Sequence, residues 1–460
     1  MGSNVVTEFD VIVAGGGPAG LSVGSELARR GNKVLLLEKE TAGLTKRSWF
    51  VPPFVLDDET RPFTYGGVTR FLASTFSGAK TQWKAELFPA YPFVDEKKIL
   101  PYWVDVLKKN GSTVLDNCAY IDKKVSHDGV RVRTTKGDFG AKLFIDATGY
   151  ESRADSDTAS KKAGYYWWSV YGAIVEMDLT GGLEVGDYMM WQTFADTNAN
   201  PDESLGHGRP VFEYEVLGPN KVYALLLFLR KERVTKETME PIFTQMLRRE
   251  KSTVPFHDSK ILELKYGWYP SGGVSQEKAA NRVAYIGDSA CWTTPCGWGM
   301  TFVLQNYKRY AEKLDEKIKA GRLDGEALRD LPAFRVEEQF MLVFDRLVTH
   351  FLSNAPAPML DKFINIFNDI DPILCEKIFT LKMDDKDLEE AIGVFAKNFT
   401  VRELATVLPP EDYDLVLEVL MKFGEATFWD VLVKWFDRIF GISYKPAAGG
   451  FSFKTEERTP

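Results

Sequence analysis

The residues of this chain whose types and spacing point to chemistry are mainly glycines. Gly15, Gly17 and Gly20 stand in the order G-x-G-x-x-G, with Pro18 and Ala19 before the third, directly after the apolar run Val11–Ala14. Each glycine has its own task in a nucleotide site. The first permits a tight turn, the second lets a pyrophosphate approach the backbone, and the third lets the following helix pack on its strand. A helix starting at Pro18 turns N–H groups and a partial positive charge toward phosphate. Lys33–Leu37 reads as a second strand ending at Glu38, with Lys39 beside it. That acid lies about 20 residues past the turn, where it can accept a ribose hydroxyl. Strand, turn, helix, strand and terminal acid in register make a dinucleotide site.

Other chemistries find little support. The four cysteines (Cys118, Cys291, Cys296, Cys375) and four histidines (His127, His207, His257, His350) follow no metal-ligand spacing, and H-E-x-x-H and G-x-S-x-G are absent. A net charge of −8 without a basic run argues against a general nucleic-acid binder. An aromatic content of 13% suggests a large apolar pocket, an interfacial surface or a thick core. No signal-like segment precedes the first strand, and no apolar run reaches membrane-spanning length. Met1–Gly2–Ser3 reads as added residues, so the compartment stays open, as does the oligomeric state.

The elements that must position a dinucleotide follow in order. Lys97–Asn110 has the apolar spacing of a helix, with Ile99, Leu100, Trp103 and Leu107 on one face. Residues 113–145 alternate as short strands, and the last of them runs into Asp146–Ala147–Thr148–Gly149. An apolar strand ending in Ala-Thr-Gly resembles the second fingerprint of the glutathione-reductase-like FAD fold. A third motif follows: the strand Arg282–Ile286, then Gly287–Asp288, then Pro295, Gly297 and Gly299, then a helix from Met300. Asp288 can accept a ribitol hydroxyl, and the helix start can point N–H groups at the flavin ring. Three motifs in this order predict FAD in an α/β, Rossmann-type fold. Arg47 either neutralises phosphate charge or lies in solvent. Cys296, inside the Pro-x-Gly-x-Gly turn, is either a thiol tuned by the helix start or a small packing residue.

Between the motifs, residues 163–230 alternate apolar and polar as an antiparallel sheet, half buried on the substrate side. A helix over Lys236–Arg249 and a strand over Leu262–Tyr269 follow. The expected division is an FAD-binding domain from residues 1–56, 96–160 and 270–320, and a substrate-side β domain from 57–95 and 161–269. A helical C-terminal cap over 321–445 and a flexible tail over 446–460 complete it. Apolar stripes in the cap (Phe340, Phe344, Leu347, Phe351; Phe363, Ile366, Phe367, Ile370; Phe428, Leu432, Trp435, Ile439) are packed core or a face for peripheral membrane contact.

The motif order G-x-G-P-A-G-L, Asp-Ala-Thr-Gly, Gly-Asp-Ser, Pro-x-Gly-x-Gly is similar to the p-hydroxybenzoate-hydroxylase and geranylgeranyl-reductase-like flavoproteins. Within that superfamily, Tyr171–Glu176 and Tyr269–Gly273 resemble the FAD-dependent lycopene cyclase family. The chain departs from that family where its acids stand: Tyr223–Leu227 and Met189–Gln192 carry none. The resemblance leaves Glu176 as the nearest candidate proton donor, with a salt-bridged sheet-edge residue as the alternative. It implies an FAD-dependent oxidoreductase of monooxygenase or reductase type. NAD(P)H is the expected reductant, and a large apolar isoprenoid, carotenoid or aromatic compound the expected substrate. A redox-neutral cyclase or isomerase needing reduced FAD, and a flavin-binding assembly factor without turnover, are the two alternatives.

Overall fold

A computed structural model describes residues 8–45, 49–75, 80–84, 90–150, 166–193, 210–249, 251–272, 279–290, 292, 299–332 and 346–380, with isolated positions between 386 and 409. The N-terminal half holds β1 (Phe9–Ala14), α1 (Pro18–Arg29), β2 (Val34–Leu37), β3 (Trp49–Phe50), β4 (Thr64–Val68), β5 (Arg70–Ser74), β6 (Lys80–Lys84), β7 (Tyr91–Val94) and α2 (Glu96–Lys109). The chain then forms β8 (Thr113–Leu115), β9 (Tyr120–Val125), β10 (Val130–Thr134), β11 (Gly137–Asp146), β12 (Tyr166–Glu176) and β13 (Asp187–Thr193). Next come β14 (Val211–Gly218), β15 (Lys221–Arg230), α3 (Lys236–Arg249), β16 (Lys260–Ser271), β17 (Ala279–Ala280) and β18 (Val283–Tyr285). The last elements are α4 (Gly299–Lys319), α5 (Gly325–Arg329), α6 (Ala357–Asp369) and α7 (Pro372–Thr380).

The first sheet is mixed, with the path β17-β18-β11-β1-β2-β8 and the β9–β10 ribbon attached to β11. Its central strand, β1, runs parallel to both β11 and β2. A parallel strand flanked on both sides is buried on both faces, which is why Val11, Ile12 and Val13 form an unbroken apolar run with no exposed surface. Helix α1 starts on Pro18 after Gly17 at the N-cap, and the chain turns out of it at Gly31, where φ is +87°. It packs against α2 and α4. Asn32, at its C-terminal end, donates to Asp315 of α4 at 2.8 Å.

The second sheet has seven strands in the order β16-β12-β15-β14-β13-β5-β6, antiparallel except where β13 meets β5. The alternation of these strands predicts one wet face, and the structure differs: both faces are covered. On one side Phe212, Tyr214, Leu226 and Phe228 pack with Met239, Phe243 and Met246 of α3. On the other, Tyr223, Leu225, Leu227 and Leu229 pack with Phe351, Phe363, Ile366, Phe367 and Ile370. The second cover comes from helices more than 100 residues further on, which a strand's own pattern does not encode. The stripes at Phe351 and Phe363–Ile370 are therefore core; Phe340, Phe344 and Phe428–Ile439 lie outside the described residues, as does the tail. Residues 57–95 divide between two sheets: β5 and β6 join the seven-stranded sheet, while β4 and β7 form a small sheet with β3. No helix among the described residues is long and apolar enough to cross a membrane.

Candidate cofactor and substrate site

The three motifs meet at one end of the first sheet. Gly15 has φ +114°, and a Cβ there would lie 2.1 Å from the carbonyl oxygen of Ala147. A Cβ on Gly20 would lie 2.0 Å from the carbonyl oxygen of Gly15. Both positions exclude any side chain. Gly17 differs: a Cβ there would meet nothing within 4 Å, so the N-terminus of α1 opens onto space at that point. Helix α1 has no side-chain cap, which leaves its first N–H groups oriented for an anion. Glu38 at the end of β2 accepts from the Gly16 N–H at 2.7 Å and from the Glu40 N–H at 2.9 Å, fixing the carboxylate beside the glycine turn. Lys39 is exposed next to it.

The second motif closes over the first. The Ala147 N–H donates to the Ala14 carbonyl at 2.8 Å, and Asp146 accepts from the Thr148 N–H and hydroxyl at 3.1 and 2.8 Å. Asp146 thus pins the turn of its own Ala-Thr-Gly segment. The third motif is tied to the second, since the Ile286 N–H donates to the Asp146 carbonyl at 3.0 Å. Gly287, with φ +66°, places the chain so close to α1 that a Cβ would lie 2.9 Å from Cβ of Ala19. Asp288 is half-buried beside that contact, in a short helical turn over Gly287–Ala290. Gly299 opens α4 beside the carbonyl of Trp292, and Met300 is buried behind it.

Gly15, Gly17, Pro18, Ala19, Gly20, Glu38 and Asp288 are therefore neighbours, and Gly299 and Met300 start the helix that packs on α1. Arg47, Pro295, Cys296 and Gly297 lie outside the described residues. The residues present fit FAD: the open position over Gly17 suits a pyrophosphate, Glu38 a ribose hydroxyl, and Asp288 a polyol hydroxyl. FAD bound there supplies hydride and electron transfer, and the protein's part is to orient and shield it. Among the described residues no group of three or more potential ligands could hold a metal ion.

Glu176 is not part of this assembly. It ends β12, opposite Lys260 and Lys221, with an exposed side chain and an ion pair to Lys260 at 3.7 Å. The other end of β12 approaches the motifs, since Trp167 touches the ring of Tyr150, one residue past Gly149. Trp167 and Glu176 are nine positions apart along the strand, about 30 Å. A strand that long cannot present both ends to one site, and Glu176 has the geometry of a salt-bridged sheet end.

Two acids that sequence reasoning passed over stand on the sheet instead. Glu213 and Glu215 alternate with Phe212, Tyr214 and Val216 on β14. Glu215 pairs across the sheet with Tyr188 on one side and Tyr223 on the other. It is 5% exposed, and its Oε2 has no hydrogen-bond partner among the described residues. Burial pushes its pKa up to about 8, against the pull of the Lys265 ammonium. Burial, and then the neighbouring Glu215, holds Glu213 well above the usual carboxylate range, while a hydrogen bond from Tyr188 works the other way. The ring of Tyr188 packs on Phe50 at 4.8 Å, and Val51 beside Phe50 belongs to the core of the first sheet, so an aromatic wall runs between the two sheets here. Phe50, Phe71, Tyr91 and Phe93 continue this aromatic wall. The sequence signal was an i, i+2 acid pair in a strand, the same pattern a solvated face gives.

Comparison with known proteins agrees with this layout. The family model for FAD-dependent oxidoreductases matches residues 10–151, which hold the first two motifs. Rifampicin monooxygenase of Streptomyces venezuelae is 37% identical over 94 residues, a match spanning 19% of this chain and 19% of that protein. Among solved structures, a geranylgeranyl bacteriochlorophyll reductase-like protein from Thermoplasma acidophilum has a TM-score of 0.65 at 14% identity, covering 89% of this chain and 99% of that one. A p-nitrophenol 4-monooxygenase from Pseudomonas putida has a TM-score of 0.59 at 17% identity, covering 82% and 97%. Aklavinone-11 hydroxylase, solved with FAD and aklavinone, has a TM-score of 0.53 at 17% identity, covering 77% and 70%. At these identities the structural likeness establishes the fold, a Rossmann-type α/β fold shared with those flavoproteins, and residues 10–151 are the part that matches the FAD-dependent oxidoreductase model.

Proposed function

We propose that this chain is an FAD-dependent oxidoreductase that acts on a large apolar substrate, with NAD(P)H as the reductant. One observation carries the reading: three separate motifs converge on the open N-terminus of α1, and the second of them meets the seven-stranded sheet, which carries an aromatic wall (Phe50, Phe71, Tyr91, Phe93, Tyr188), where Trp167 packs on Tyr150. The glycine turn holds the pyrophosphate, Glu38 the ribose and Asp288 the polyol chain. The aromatic wall excludes water and receives a ring or isoprenoid body. The relatives named above include both monooxygenases and a reductase-like protein, and those two reaction types are the ones to separate.

The test is anaerobic reduction of the FAD-loaded protein by NADPH, followed by isoprenoids or aromatics with and without air. Substrate-dependent return of the flavin colour without air identifies a reductase; oxygen incorporated into product identifies a monooxygenase. A flavin that binds but never exchanges electrons in a substrate-dependent way, with or without air, contradicts the proposal and leaves the assembly-factor reading. A redox-neutral, cyclase-like reaction has one feature in its favour: the buried Glu215 and the half-buried Glu213 supply carboxylic acids on the strand next to Tyr223–Leu227. Product formed while the flavin stays reduced would establish it.

A further inference from the structure

The oxygen of Glu215 that lacks a partner needs an explanation, because a buried polar group left unpaired costs roughly 1–3 kcal/mol. Titratable and charged groups face Glu215 from every described element packed around it. On its own strand stands Glu213, bonded to Tyr188. On β13 and β15 stand Tyr188 and Tyr223. From β16 comes Lys265, which is 5% exposed, lies over the Tyr223 ring at 5.7 Å and is paired with Glu263 at 3.5 Å. From β4 and the start of α2 come Tyr65 and Glu96, whose charges couple to the same cluster. Lys265 is already committed to Glu263, and no described residue accepts a hydrogen bond from Oε2 of Glu215. An uncharged carboxyl in this position offers a donor to an acceptor that a ligand carries.

We infer that the carboxyl of Glu215, set beside Glu213 on the face of β14 shared with Tyr188 and Tyr223, is a hydrogen-bond donor for an oxygen atom carried by an otherwise apolar substrate. The substrate class is thus narrowed from hydrocarbons to apolar compounds bearing a carbonyl, quinone or ether oxygen. The inference rests on the reading of this face as the substrate side of an FAD-dependent oxidoreductase.

The experiment uses the FAD-loaded full chain and a matched pair of probes, acetylnaphthalene and ethylnaphthalene, measured by equilibrium dialysis. Below the pH of about 8 at which Glu215 titrates, the wild-type ratio of acetyl to ethyl affinity should exceed that of Glu215→Leu by about tenfold. Above that pH the wild-type ratio should fall to the Leu value. Glu215→Gln keeps an N–H donor, so its ratio should stay high and become independent of pH. A wild-type ratio equal to that of Glu215→Leu, or a Gln variant that follows the wild-type pH profile, overturns the inference. If the Leu variant fails to fold, the Gln comparison alone decides. FAD uptake is recorded in the same samples: retained FAD with no oxygen preference removes this inference only, whereas loss of FAD binding by the wild type removes the proposed function.

Discussion

Gly15 sits where no side chain fits, both by its positive φ and by the 2.1 Å that would separate a Cβ from the Ala147 carbonyl. Gly15→Ala must push β1 away from the Ala-Thr-Gly turn, so it should lower stability by more than about 1 kcal/mol and abolish FAD uptake. Denaturant unfolding and flavin absorbance check the two effects separately. Gly17→Ala is the contrast, since a methyl group meets nothing there in the protein. It should fold normally and weaken FAD binding, a pattern that only a ligand over Gly17 explains. Equal FAD affinity in Gly17→Ala and wild type would move the pyrophosphate elsewhere. Glu215 gives a prediction about pH. Its folded pKa of about 8 lies above the ordinary 4.5, so between those values the folded state holds a proton that the unfolded chain has released. Stability should therefore fall as pH rises from about 4.5 to about 8 and level off above that. Glu215→Gln, which does not titrate, should gain on the wild type across that window by a few degrees in Tm. Parallel Tm profiles for the two proteins would show that Glu215 is not desolvated.

At the scale of elements, the glycine motifs were legible because each one encodes a local backbone requirement. The β1–turn–α1 unit, the helix over residues 96–109 and the helix over 236–249 follow from turn residues and apolar spacing within a single segment. Faces covered by distant elements were not legible. Glu213 and Glu215 read as solvated because β4 and β16, which approach their face of β14, come from segments well before and after it in the chain, and Glu176 drew attention only through a family pattern. The joint between β5 and β13 is another long-range feature. Arg70 donates to the buried Asp187 at 2.6 Å, and Asp187 also accepts from the Glu184 N–H at 2.8 Å. Asp187→Ala leaves the guanidinium half-paired and the Glu184 N–H without its partner. It should cost about 3 kcal/mol in urea unfolding, with FAD affinity unchanged, because the pair lies in the second sheet. Loss of FAD binding in a folded Asp187→Ala protein would show that the two sheets are coupled more tightly than their separate cores imply.

At the scale of the molecule, one chain builds two sheets from interleaved segments. The first sheet draws on residues 9–37, 113–146 and 279–285, and the second on residues 70–84, 166–230 and 260–271. This interleaving places the ends of β1, β11 and β18 side by side and joins the seven-stranded sheet, with its aromatic wall, to the second motif through Trp167 and Tyr150. The aromatic content that the sequence showed without a location resolves into that wall and the helices over residues 346–380 that cover the same face. A ligand that binds the folded chain alone raises its stability by about 2.7 kcal/mol at a hundredfold excess over Kd. The measurement that addresses the central claim most directly is an FAD titration of the purified chain, followed by flavin absorbance and by Tm in the same samples. One FAD per chain, a Tm that climbs with FAD concentration, and loss of both in Gly15→Ala are the predicted results. A chain that takes up no FAD, or takes it up equally well with Gly15→Ala, would contradict the account.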